Sequence, residues 1–200
     1  MSPDPALNLD LDRRPVIVAL AGPNGAGKTT FYAAHLRAAG LRFVNADLLA
    51  RELGLEPYAA ARIAGRLRAE LVNQRESFVF ETVFSDPVGE KLAFLRNAAA
   101  AGYNVILCFI GTASAAVSEQ RVAMRVSQGG HDVPSAKLRE LFPRALANLA
   151  SALRDLPHVW VFDNNDLRRP FRLVAIARSG RPVELHRPVP RWLAPLLPKT

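Results

Sequence analysis

Pro15-Val-Ile-Val-Ala-Leu-Ala21 running into Gly22-Pro-Asn-Gly-Ala-Gly-Lys28-Thr29-Thr30 is the stretch on which the fold turns. A run of seven almost wholly apolar residues predicts a strand covered on both faces. The pattern G-x-x-x-x-G-K-[ST] fits residues 22–29 without a mismatch, between that strand and a helical pattern over Lys28–Ala38 that Gly40 ends. Gly22, Gly25 and Gly27 let the backbone turn successive N–H groups inward as a nest for phosphate oxygens, with Pro23, Asn24, Ala26 and Thr30 completing the loop. Lys28 is placed to reach the β- and γ-phosphates of ATP or GTP, and the Thr29 hydroxyl to ligate Mg²⁺. No N-K-x-D guanine signature accompanies the loop.

Outward from the loop, strands alternate with helices. Arg42–Asn45 reads as a short second strand, followed by helical pattern from Asp47 through Leu53 and again from Pro57 to about Arg75. Ser77–Glu81 reads as a third strand, Pro87–Ala101 as a helix stopped at Gly102, and Tyr103–Ile110 as a fourth strand. Ser114–Gln128 and Ser135–Leu153 read as helices, Val159–Phe162 as a fifth strand, and Pro170–Ala177 with Val183–His186 as a hairpin. This order predicts a three-layer α/β/α P-loop NTPase fold with a mostly parallel sheet of about five strands, a helical lid, a C-terminal β-hairpin and an irregular tail. Three segments are expected: a polar extension (1–14), the core (15–167, lid about 114–134), and a basic hairpin and tail (168–200) packing on the core.

Half of the 200 residues are hydrophobic, enough for a packed core and against disorder. The lone Cys108 lies inside an apolar run, which fits a buried thiol in a reducing cytoplasm. The N-terminus lacks the apolar segment of a signal peptide, and no apolar run reaches membrane-spanning length, so a cytoplasmic protein is expected. The net charge of +8 is lopsided: the last 33 residues carry eight Arg and Lys against Glu184 alone. That tail could meet RNA, an acidic partner or a phosphorylated ligand, or form a solvated surface. The near-neutral body speaks against nucleic acid as the main partner. No Cys/His spacing suggests zinc, and His35, His158 and His186 read as structural or exposed.

Ala21–Thr30, then Asn45-Ala-Asp47, Phe80-Glu-Thr82, Arg121 with Arg125, Gly129-Gly-His-Asp-Val-Pro134 and Phe162-Asp-Asn-Asn165 occur in an order that resembles the zeta toxin family, over about Val16 to Asn165. The resemblance implies an ATP- and Mg²⁺-dependent small-molecule kinase, of the kind that phosphorylates the sugar of UDP-N-acetylglucosamine. The GGH-x-V-P stretch resembles that of a shorter sub-branch, whose substrate does not follow. A toxin would need an antitoxin, here on a separate chain, because the short N-terminus does not resemble the antitoxin portion of some relatives.

Asp47, just past the second strand, faces the γ-phosphate end of the loop and can accept the proton of an incoming hydroxyl. The resemblance puts the catalytic base at this position; capping the following helix is the other reading. Glu81 ends the third strand, where a carboxylate meets the ligand crevice and stands as a metal-side candidate. For Glu81 and Thr82 the resemblance implies substrate-hydroxyl binding or a water-mediated metal contact. Arg121 and Arg125, one helical turn apart, can neutralise transition-state charge, or be solvated helix residues. In the better-known toxins a second arginine lies further along, where this chain has Gly-Gly-His131-Asp132; His131, Arg139 and Arg144 are the candidates for that charge. Asp163-Asn164-Asn165 is expected as a turn near the adenine, with Asn164 the nucleotide contact.

Overall fold

The computed structural model describes residues 10–127, 133–179 and 183–198. Strand β1 (Val16–Ala21) is buried at all six positions and lies in mid-sheet, between β3 (Phe78–Thr82) and β4 (Asn104–Gly111). β2 (Arg42–Val44) flanks β3 and β5 (His158–Asp163) flanks β4, all parallel. Alternate β1 residues serve two cores, which is why the run is apolar without alternation. Ile17, Ala19 and Ala21 share one core with residues of helices α3 (Pro57–Asn73), α4 (Glu90–Ala100) and α6 (Ser135–Asp155). Val16, Val18 and Leu20 share the other with Phe31 and Leu36, which follow the loop.

Among the described residues the sheet has seven strands rather than the expected five or so. The hairpin does not stand apart: β6 (Arg172–Arg178) pairs antiparallel with β5, and the two-residue β7 (Glu184–Leu185) pairs with β6. The order is β2-β3-β1-β4-β5-β6-β7. An antiparallel partner needs only a short return from β5, whereas a further parallel strand needs a crossover.

Among the described residues six α-helices fall close to their expected places. Helix α1 keeps α geometry only over Lys28–Phe31, then runs as a π turn (Tyr32–Leu36) and a 3₁₀ turn (Arg37–Ala39) to Gly40 at φ +65°. Helix α2 (Ala46–Leu53) ends at Gly54, φ +63°, before Pro57 opens α3. α4 begins at Glu90, three residues later than its apolar pattern predicts, after Gly89 in a left-handed conformation. α5 (Ala115–Ser127) leads toward the Gly129-Gly130-His131 stretch, which lies outside the described residues, as does the expected role of His131. Among the described residues no helix is long and apolar enough to cross a membrane.

The chain after β7 is part of the core. Trp192 and Leu193 are buried, and the indole lies where a Gly111 side chain would be: a Cβ there would come within 2.2 Å of the ring. Trp192 donates its N–H to Asp163 Oδ1 at 2.9 Å, and Arg172 lies 3.5 Å from Asp163 Oδ2. Asp163 therefore fastens the tail and hairpin to the end of β5.

Candidate functional site

The loop between β1 and α1 has the shape its glycines predict. Gly22 lies at φ +141°, and a Cβ there would come within 2.1 Å of the Ile110 carbonyl oxygen on the neighbouring β4. Gly27 lies at φ +92°, where a Cβ would meet the Asn164 amide at 2.7 Å. A Gly25 Cβ would stand 2.8 Å from the Ser118 carbonyl oxygen and 3.1 Å from Arg121 Cβ, so α5 rests directly on the loop.

Lys28 is buried and donates to the carbonyls of Gly22 at 2.9 Å and Pro23 at 3.0 Å, with Glu81 3.9 Å away. Burial pushes its pKa down; the Glu81 and Asp47 carboxylates oppose the shift and Arg125 adds to it. Glu81 reaches the loop because β3 pairs with β1 in a register that sets Glu81 opposite Leu20. One of its oxygens accepts from both the Thr29 hydroxyl and the Asn45 amide, each at 2.9 Å. A hydroxyl and a carboxylate meeting beside Lys28 are hard oxygens of the kind that could hold a Mg²⁺ ion. No group of three or more His, Cys, Asp or Glu suited to a metal occurs among the described residues.

Asn45, not Asp47, caps α2: its side-chain oxygen accepts from the N–H groups of Asp47 at 2.8 Å and Leu48 at 3.1 Å. The capping alternative for Asp47 is thereby corrected. Asp47 is exposed in the first turn and lines the cleft with Thr29, Thr30, Glu81 and Thr82. Thr82 also lies there, its hydroxyl accepting from Phe84 N–H at 3.1 Å.

The two α5 arginines part company. Arg121 leans over the loop and donates to the Asn165 carbonyl at 3.4 Å, whereas the charge of Arg125 is felt at Lys28. Of the other candidates, Arg139 is taken by Glu119 through two hydrogen bonds of 2.8 and 3.1 Å that tie α6 to α5. Arg144 pairs with Glu140 at 2.8 Å and lines the cleft. Asn164, expected beside the adenine, is buried with its amide engaged by backbone. It donates to Ala26 O at 2.8 Å and accepts from Phe171 N–H at 3.3 Å. Phe171 is held at φ +56°, a conformation a non-glycine residue adopts only when its surroundings impose it.

A cleft of about 1180 Å³ runs from the loop past Asp47 to α3, the β3–α4 connection and α6. Sequence reasoning missed this far half: Tyr58, Arg62 and Arg68 on α3, Asp86 and Lys91 beyond β3, and Lys137 on α6. The spacing of Lys137, Leu141 and Arg144 along one helix face was the available signal. Lys137 reaches across to the Tyr58 hydroxyl at 3.4 Å. The Asp86 side chain is buried, and its Oδ1 has no hydrogen-bond partner although the Lys91 ammonium stands 3.9 Å away.

The family model AAA_33, described as an AAA domain, matches residues 17–146, from β1 into α6. No curated protein matches the chain. Among solved structures it resembles a chain of the AvrRxo1-ORF1:-ORF2 complex with ATP, at 21% identity and a TM-score of 0.64, over 82% of this chain and 58% of that one. It resembles a putative kinase from Chloroflexus aurantiacus at 19% identity and a TM-score of 0.57, over 78% and 91%. It also resembles a chain of the PezAT chromosomal toxin–antitoxin system of Streptococcus pneumoniae at 18% identity and a TM-score of 0.56, over 76% and 69%. At these identities the likeness is one of fold, a P-loop fold shared with kinases.

Proposed function

The chain belongs to the family described as an AAA domain, and from that premise we propose that it is a kinase that transfers the γ-phosphoryl group of ATP to a hydroxyl of a small molecule. The observation that carries this reading is the meeting of Thr29, Glu81 and Asn45 beside Lys28, with Asp47 on the same cleft. Lys28 and the loop N–H groups hold the phosphates, and Asp47 takes the proton from the acceptor oxygen as that oxygen bonds to phosphorus and ADP leaves. Arg125 offsets the charge on the equatorial oxygens. Thr29 and Glu81 would hold Mg²⁺, which neutralises phosphate charge when bound.

The acceptor is a nucleotide sugar such as UDP-N-acetylglucosamine, in keeping with the zeta-toxin motif order, and a separate antitoxin chain in the cytoplasm follows from the same reading. Another small hydroxyl compound is the nearest rival, served by the same groups. ATP consumption with and without UDP-N-acetylglucosamine, for wild type and Asp47→Asn, tests the proposal. Stimulation by the sugar nucleotide that Asp47→Asn removes, with ATP still bound, supports it. A phosphorylated product of a different acceptor sinks the narrower claim, and no product from any hydroxyl compound sinks the kinase.

A further inference from the structure

The far half of the cleft carries cations that the phosphoryl-transfer chemistry leaves unused. Arg68 is the most constrained of them. Its guanidinium lies over the Phe80 ring at 5.0 Å and within 5.9 Å of the Phe94 ring, and it faces the cleft. Gly65, one turn back on α3, lies beside it: a Cβ there would stand 3.7 Å from Arg68 Nη2, an ordinary contact.

The guanidinium is held against two rings that stand nearly perpendicular to each other, without using its N–H donors. Among the described residues no carboxylate comes within salt-bridge distance of Arg68, whereas Arg144 is paired with Glu140 and Lys91 stands near Asp86 and Glu90. Burial lowers the Arg68 pKa and Glu90 raises it, so the site is partly desolvated yet keeps its charge. Arg62 on the same helix adds exposed positive charge along the same wall.

Resting on the kinase reading, we propose that Arg68 is a specificity-determining residue that binds an anionic group of the acceptor, a phosphate or a carboxylate, through its free planar donors. A fixed fork pairs such oxygens two at a time, which orients the acceptor as well as holding it. The acceptor hydroxyl then lies toward Asp47 at the loop end of the same cleft.

The test measures binding rather than turnover, so that it stands apart from the kinase assay. With the phosphate loop saturated by AMP-PNP and Mg²⁺, calorimetry compares glucose 1-phosphate, glucuronate and glucose on wild type, Arg68→Lys and Arg68→Met. Wild type should bind at least one of the two anions about ten- to hundred-fold more tightly than glucose, as expected of charged hydrogen bonds. The anion that binds identifies the group recognised. Arg68→Met should erase that preference and Arg68→Lys retain part of it, both with AMP-PNP affinity unchanged. Thermal unfolding identifies a variant that has merely lost its fold; if Arg68→Met does, Arg68→Lys decides the matter by a reduced preference. Equal affinity for glucose and both anions, no measurable anion binding, or an anion preference that survives the loss of Arg68 overturns the proposal.

Discussion

The Lys28 ammonium is buried among the carbonyls of its own loop, with its pKa pushed below the ordinary lysine value of about 10.4. Two opposite consequences follow. Phosphate needs the charged form, so AMP-PNP affinity should begin to fall on the alkaline side at a lower pH than an ordinary lysine allows. Stability should move the other way: between the folded and unfolded pKa values the unfolded chain binds the extra proton, so this group's contribution rises with pH. Calorimetric titration and thermal unfolding from pH 7 to 10, wild type against Lys28→Met, check both signs. Asn164 acts by geometry alone. Asn164→Ala strands the Ala26 carbonyl and the Phe171 N–H, and should cost about 1–3 kcal/mol in urea unfolding and weaken nucleotide binding. Asn164→Asp, of equal size but without the donor, should weaken binding too.

At the scale of elements, α2 and β3 meet through Asn45, whose oxygen caps the helix while its amide holds Glu81. Asn45→Ala should lower stability by about 1 kcal/mol through the lost cap and free the carboxylate. Asn45→Asp should keep the cap yet set two carboxylates together. Circular dichroism melts should then place Asn45→Asp below wild type, the repulsion outweighing the kept cap, and its ATP turnover should fall with that of Asn45→Ala. How much of the site was legible follows element by element. β1, its loop and the ends of β3 and α2 announce themselves, because apolar runs, glycine spacing and strand ends are local features. That Glu81 meets Thr29 depends on β3 lying next to β1, a pairing no local pattern contains. Nothing in the local sequence marks Arg68; its place on two rings depends on how α3 lies against β3 and α4. The five-strand expectation fell short because a hairpin signal does not say which sheet the hairpin joins.

For the molecule as a whole, the two cores and the C-terminal segment are one packing problem. Trp192 fills the space above Gly111, and Trp192→Ala should cost about 3–5 kcal/mol, against a much smaller loss for Trp192→Phe, read from denaturant midpoints. Wild-type tryptophan emission, from Trp160 and Trp192, should shift on unfolding in one step with the far-ultraviolet signal if the tail belongs to the same cooperative unit. The positive charge noted at the C-terminal end is partly paired within the chain, Arg172 with Asp163 and the Pro188 carbonyl, and Arg178 with Glu184 in an exposed pair. The adjacent residues Asp163 and Asn164 hold Trp192 on one side and the phosphate loop on the other, and this has a bearing on biosynthesis. The loop and the Asn164 amide that holds it lie 138 residues apart in the chain, and Trp192 follows later still. In a nascent chain the loop therefore emerges long before the contacts that brace it can form, and its geometry is completed only after β5 and the Trp192 segment have followed it out.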